Sequence, residues 1–191
     1  RAEHEVRESV GVEVCGDEGF DRLALEGGVD AGAHERDRRV RLAQRRHAVG
    51  EPDVHVAVGP ARGGQVCLAG TRVLVEDSIA DQFLGLVREA VSHMTVGDPR
   101  DPSTRVGPLI HPEHFARVQG FVDRARAEGV DILWGGDRHN QGELYFQPTL
   151  IGGAKLDQEI FQKEVFGPVL TWNTFRSDDE VIEVANGTEY G

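Results

Sequence analysis

A change of texture at Gly64 constrains this chain more than any other feature. From there onward, strand-like and helix-like stretches alternate with clear punctuation. Residues 71–75 read as a buried strand. Residues 78–93 then place Ile79, Phe83, Leu86, Ala90, Val91 and Met94 on one helical face, with Ser78 as the N-cap. Val96-Gly97-Asp98-Pro99-Arg100-Asp101-Pro102 opens a surface loop that continues to Gly107-Pro108. A second helix begins at Pro112, carries Phe115, Val118, Val122 and Ala125 at helical spacing, and stops at Gly129. Residues 130–134 predict a short strand, 137–143 a loop, and 145–151 a strand that Pro148 confines to an edge or an end. One helical turn over 157–162 and a strand over 169–175 follow, and Ser177-Asp178-Asp179-Glu180 forms a capping box for a last helix. Strands alternating with helices indicate an α/β fold with a largely parallel sheet.

Residues 1–63 have a different composition, with ten Arg, no Lys, and no Ile, Asn, Thr, Tyr, Trp or Met. Their apolar content is mostly Val and Ala, broken by charge as in His34-Glu35-Arg36-Asp37-Arg38-Arg39, and only Val54, Val56 and Val58 alternate. Such a segment lacks the pattern from which a core is built. The expected division is therefore an unassigned segment over 1–63 and an α/β unit over 64–191. Two accounts fit the first part: a disordered or weakly folded region, or translation of a GC-rich gene in a shifted frame.

Charge and cysteine usage narrow the function classes. A net charge of −12, with 21 Lys and Arg against 33 Asp and Glu, argues against nucleic acid, because phosphate contacts need a basic stripe. No apolar run reaches the ~20 residues of a membrane span, and the first residues carry charge in place of a signal-peptide core, so a cytoplasmic setting is expected. Cys15 and Cys67 are too few for a disulfide framework and form no redox or zinc pair.

Cys67 is the residue with chemical promise. In Gly64-Gln65-Val66-Cys67-Leu68-Ala69-Gly70-Thr71 it sits among small residues directly before a strand. Small neighbours let a substrate carbon reach sulfur, and an amide-lined turn can hold the oxygen of the attacked group. Taken alone, a half-buried structural cysteine is the commoner explanation of such a residue. His111 and His114, three residues apart at a helix start and without further ligands, read as solvated or capping groups, and no metal site is expected. Trp134 and Trp172 are assigned to strands and core, and Asn186 to a structural place at a helix end.

Several of these runs together carry a family resemblance. The stretch from Gly64 to Arg72 resembles the nucleophile motif of the aldehyde dehydrogenase superfamily, and Glu164-Val165-Phe166-Gly167-Pro168-Val169 resembles its cofactor-contacting motif. Val96-Gly97-Asp98-Pro99, Gly107-Pro108-Leu109, Gln147-Pro148-Thr149-Leu150 and Ala185-Asn186 with Tyr190-Gly191 fall in matching order. The resemblance runs from Gly64 to Gly191 and covers the later part of the catalytic domain. Val106-Gly107-Pro108-Leu109-Ile110-His111-Pro112 is similar to the loop of semialdehyde dehydrogenases from aromatic breakdown.

The resemblance implies oxidation of an aldehyde or semialdehyde to a carboxylate with NAD or NADP through a cysteine thioester. Cys67 is then the nucleophile; Glu164 binds the nicotinamide ribose hydroxyls and Phe166 packs beside the nicotinamide end. It also implies a homo-oligomer for the complete enzyme. Complete members carry a glycine-containing nucleotide-binding half, an oxyanion-hole asparagine, and a water-activating glutamate in a Glu-Leu-Gly-Gly-Lys run. None is recognisable here; Leu25-Glu26-Gly27-Gly28 has the wrong order, lacks the Lys, and lies too far from Cys67. The expectation is accordingly an incomplete, inactive fragment, with a non-catalytic remnant or interaction module of the same fold as the alternative.

Overall fold

The computed structural model describes residues 61–66 and 69–189, together with the backbone of two strands at 11–16 and 19–23. Cys67, Glu26, the Val54 to Val58 alternation, most of residues 1–60 and the closing Tyr190-Gly191 lie outside the described residues.

The elements follow the chain as strands β1 (Gly11–Gly16), β2 (Gly19–Leu23) and β3 (Gly70–Glu76), helix α1 (Ala80–Ser92) and helix α2 (Pro112–Ala127). Strands β4 (Asp131–Trp134) and β5 (Thr149–Gly152), helix α3 (Glu159–Gln162), strand β6 (Val169–Phe175) and helix α4 (Asp178–Asn186) complete them. One sheet forms in the order β2-β1-β3-β6-β5-β4. The inner pairs β1/β3, β3/β6 and β5/β6 are parallel, while β2 and β4 run antiparallel at the two edges. The largely parallel α/β sheet expected from the sequence is therefore present.

Helices cover both faces, which is why β3 and β6 are buried along most of their length. On one face Val73, Val75, Leu170 and Trp172 pack against Phe83 and Val87 of α1. The Phe83 ring stacks on Trp172 with centroids 5.5 Å apart. On the other face, Leu74 and Phe175 meet Val181 and Ala185 of α4. There too, Ile151 and Val169 join Phe115, Val118, Phe121, Val122 and Ala125 of α2 and Ile160 and Phe161 of α3. Burying each Val, Leu, Ile or Phe side chain among these stabilises the fold by roughly 1.5–3 kcal/mol.

Chain chemistry accounts for the ends of α2. Pro112 occupies its first turn, and the ring of His111 accepts a hydrogen bond from the Glu113 N–H at 3.3 Å. At the other end Gly129 takes φ 79°, its N–H donates to Arg126, and the Val130 N–H donates to Ala125. This is the Schellman arrangement, which only a residue tolerant of positive φ completes cheaply. Ser177 caps α4 by accepting from the Glu180 N–H at 3.3 Å, while Glu180 accepts from the Arg176 N–H at 2.7 Å. The reciprocal half of the box thus lands one residue earlier than the simple motif predicts.

Three expectations need correction. Ser78 does not cap α1; a 3-10 turn over Asp77–Ile79 precedes the helix, and Ser78 bonds Glu76 instead. Of the face expected for α1, Phe83, Ile79 and Val91 do pack on the core, but Val87 is the second buried residue and the expected Leu86 is exposed, so the stripe is turned partly away from the one predicted. Trp134 is 41% exposed on the edge strand β4, whereas Trp172 is in the core. Strands β1 and β2 lie in a stretch where the sequence pattern showed no strand.

Candidate functional site

The site is built where the segment before β3 meets the segment before β6. A short 3-10 turn over Ala61–Gly64 ends on two glycines in left-handed conformation, Gly63 at φ 73° and Gly64 at φ 64°. Gly64 is packed so closely on Gly167 that a Cβ there would lie 1.9 Å from the Gly167 carbonyl oxygen. Only glycine fits such an approach of two backbones. The run containing Cys67 and the run containing Glu164 and Phe166, separate in sequence, are thereby in contact through Gly64 and Gly167.

The described residues that precede and follow Cys67 in sequence are tied down. Gln65 accepts from the Ile110 N–H at 3.0 Å and donates to the Pro108 carbonyl at 3.4 Å, tying the 107–110 loop to the glycine turn. The Ala69 N–H donates to the Val66 carbonyl at 2.9 Å, across the two residues between them. The chain then enters β3, where Arg72 is 3% exposed. Its Nε donates to the Phe161 carbonyl at 2.7 Å and its Nη2 to that of Gln162 at 3.4 Å. The strand following the cysteine is therefore bonded to the end of α3, directly before Lys163 and Glu164.

Glu164 and Phe166 lie on the connection from α3 to β6, and both are half-buried. Phe166 adopts φ 57°, the one non-glycine positive φ among the described residues. Three carbonyls in a row are held from α2. Arg117 donates to Glu164 O at 2.8 Å and to Val165 O at 2.6 Å, and the His114 Nε2–H donates to Phe166 O at 2.7 Å. The imidazole also meets the Phe166 ring edge-on at 5.9 Å. Gly167 packs on Val118, and the Val169 N–H closes back on the Gly167 carbonyl at 2.7 Å around the buried Pro168.

The other motif runs have structural explanations. Val96 pairs with Val106, and the Gly97 N–H donates to the Val106 carbonyl, closing the loop between them. Within it Asp98 binds Arg100, whose guanidinium and N–H hold the Asp98 carboxyl down to a pKa of about 2. Thr149 accepts from the Gly136 N–H and donates to the Gln147 carbonyl, both at 2.8 Å, which fastens Gly135-Gly136 onto the start of β5. Asn186 ends α4 by donating to the Ile182 carbonyl at 2.8 Å. Among the described residues no cluster of three or more His, Cys, Asp or Glu could hold a metal. No helix there is long and apolar enough to cross a membrane.

His114 differs from its expected solvated or capping role, since it is half-buried against Phe166. Arg117 and Arg72 were not singled out from sequence. The available signal is position: His114 and Arg117 stand one turn apart, each directly before a buried apolar position, Phe115 and Val118.

The family model described as aldehyde dehydrogenase family matches residues 54–191, so the family pattern begins upstream of Gly64. Betaine aldehyde dehydrogenase of Bacillus subtilis is 42% identical over 151 residues, 74% of this chain and 31% of that protein. A structure of Staphylococcus aureus betaine aldehyde dehydrogenase, in complex with NAD+ and with a β-mercaptoethanol-modified cysteine, superposes with a TM-score of 0.73 at 30% identity. It covers 96% of this chain and 33% of that one. Mycobacterium tuberculosis aldehyde dehydrogenase complexed with NAD+ gives a TM-score of 0.69 at 32% identity, over 73% of this chain and 29% of that one. The chain thus spans 29% to 33% of the length of these relatives. With an ordered set of motifs, a shared fold and a family match over most of its length, this chain belongs to the aldehyde dehydrogenase family.

Proposed function

We propose that these residues supply the nucleophile and the nicotinamide-facing part of an NAD(P)-dependent aldehyde dehydrogenase. The observation that carries this reading is the contact of Gly64 with Gly167, which joins the cysteine-bearing run to the run bearing Glu164 and Phe166. Cys67 as thiolate adds to the aldehyde carbon, and the C=O π pair becomes the oxyanion of a thiohemiacetal. Backbone N–H donors near the sulfur stabilise that oxyanion. The thioester left after oxidation is cleaved by water, which releases the carboxylate and the thiol.

The donor set fits a dinucleotide at its ribose end. A carboxylate accepts from two adjacent hydroxyls at once, and an aromatic ring two residues away offers a flat apolar surface. Glu164 would hold the ribose diol and Phe166 would lie against the nicotinamide end. When bound, the nucleotide supplies the hydride acceptor of the oxidation. Support for this assignment comes from the shared fold and from relatives solved with NAD+.

The 191 residues alone are proposed to turn over no aldehyde, because the asparagine and the Glu-Leu-Gly-Gly-Lys run of complete members have no counterpart in the sequence. Saturation-transfer NMR on the purified chain with NAD+ tests the cofactor assignment. The nicotinamide-ribose protons are expected to receive saturation, and Glu164→Ala or Phe166→Ala to reduce it several-fold; equal transfer in all three proteins refutes it. NADH formation from an aldehyde, lost on Cys67→Ser, would refute the lack of turnover.

A further inference from the structure

We propose that His114 and Arg117 are positioning residues that fix the Glu164-Val165-Phe166 strip through its carbonyls and hold Phe166 in its left-handed conformation. This role rests on the reading of Glu164 and Phe166 as cofactor residues.

The strip leaves α3 at Gln162 and does not join the sheet until Val169, so the ladder of β6 does not hold it. Val165 anchors it in the core by its side chain, and α2 holds its carbonyls by presenting one guanidinium and one imidazole a single turn apart. The Arg117 fork reaches two successive carbonyls, at 2.8 Å and 2.6 Å, and His114 takes the third at 2.7 Å. A planar fork suits this task because its donors are pre-set relative to each other. Arg117 is itself steadied, its guanidinium lying 5.0 Å from the Phe121 ring centroid.

The backbone of Phe166 gives the second reason. At φ 57° a residue with a Cβ is strained and persists only where its surroundings over-determine it. His114 touches Phe166 at the carbonyl and at the ring, so one side chain fixes both the peptide orientation and the aromatic plane. Gly167 beside it is in contact with Gly64. A strip released from α2 would carry Phe166 and Glu164 away together and loosen the contact with the cysteine-bearing run.

The test is fluorine NMR of the 191-residue chain labelled with 4-fluorophenylalanine, with lines assigned by Phe166→Leu and Phe83→Leu. Phe83 reports the rest of the fold from its stack on Trp172, in a separate cluster. Arg117→Met and His114→Leu are each expected to abolish the Phe166 line at its parent position while the Phe83 line stays. Arg117→Lys, which keeps a donor for one carbonyl, is expected to return the line toward that position. A Phe166 line that stays in place in both variants, or moves no more than the Phe83 line, overturns the proposal. Should Arg117→Met fail to fold, Arg117→Gln is compared with Arg117→Lys: a Phe166 line displaced in the first alone supports the role, and identical lines refute it. No nucleotide is present, so a fixed line removes the positioning role and leaves the cofactor reading standing. Equal saturation transfer in the NAD+ experiment does the converse.

Discussion

Gly64→Ala is the substitution with the most sharply defined cost. Two effects apply, and one other glycine, Gly129, separates them. Gly64 sits at φ 64°, where any residue with a Cβ is strained, and its Cβ would lie 1.9 Å, 2.3 Å and 2.9 Å from backbone atoms of Gly167 and Pro168. Gly129 has the same handedness, φ 79°, with nothing within 4 Å of its would-be Cβ. Alanine at Gly129 therefore incurs the conformational term alone, about 1–2 kcal/mol. At Gly64 the backbone of Gly167 must also give way, adding about 1–3 kcal/mol by the measure of overpacked interiors, for a total of about 2–5 kcal/mol. Urea denaturation of both variants and the parent, at unchanged m-value, reads the difference. Because the Gly64 contact joins the two motif runs, Gly64→Ala is also expected to slow acylation at Cys67, whereas Gly129→Ala is not. Equal stability losses, within about 0.5 kcal/mol, with unaltered acylation would refute the contact as the organising feature of the site.

Other consequences follow from the same geometry. Arg72→Met removes a buried charged donor from the Phe161 carbonyl and is expected to cost about 1.5–3 kcal/mol in urea denaturation, with Arg72→Lys failing to restore it because an ammonium lacks the fork; full stability of either variant contradicts this. Asp98, lowered to about 2 by Arg100, contributes stability that is present above the ordinary carboxylate pKa and is lost as pH falls from about 4 through about 2. NMR titration should find this carboxyl moving back toward its ordinary range in Arg100→Gln and in high salt, since the pair is exposed; an unmoved value would refute the pairing.

Much of the fold was legible because period and punctuation agreed. Strand β6 was readable to its boundaries, since Val169 to Phe175 are bounded by Pro168 and by the Ser177 cap. Helix α2 was readable from Pro112 to Gly129 for the same reason. In α1 the sequence spacing takes Leu86 inward and passes over Val87, whereas Val87 is buried beside Phe83 and Leu86 is exposed, because the helix centres its packing on the Phe83–Val87 side facing Trp172. Trp134 lies in a strand as expected but outside the core, because β4 is an edge strand with one neighbour. Strands β1 and β2 gain their place from pairing, β1 with β3 and β2 with β1, and such long-range pairing leaves little trace in local pattern.

The candidate site divides along a similar line. The residues proposed to do the chemistry, Cys67, Glu164 and Phe166, sit in short distinctive runs that a sequence reading can single out. Residues that hold those runs in place lie on helices and strands read for their apolar faces. Arg117 looks like a solvent-facing cation until the carbonyls of Glu164 and Val165 are seen beside it. The Gly64 contact with Gly167 depends on two backbones meeting in space, which no spacing rule encodes.

The central claim is that Cys67 is the attacking thiol. Rapid mixing of the purified chain with an activated ester, such as 4-nitrophenyl acetate, tests it without any nucleotide. The account predicts a burst approaching one acyl group per chain, abolished by Cys67→Ser and retained in Cys15→Ser, the chain's other cysteine. A burst that survives Cys67→Ser, or no burst from the folded parent, would contradict it.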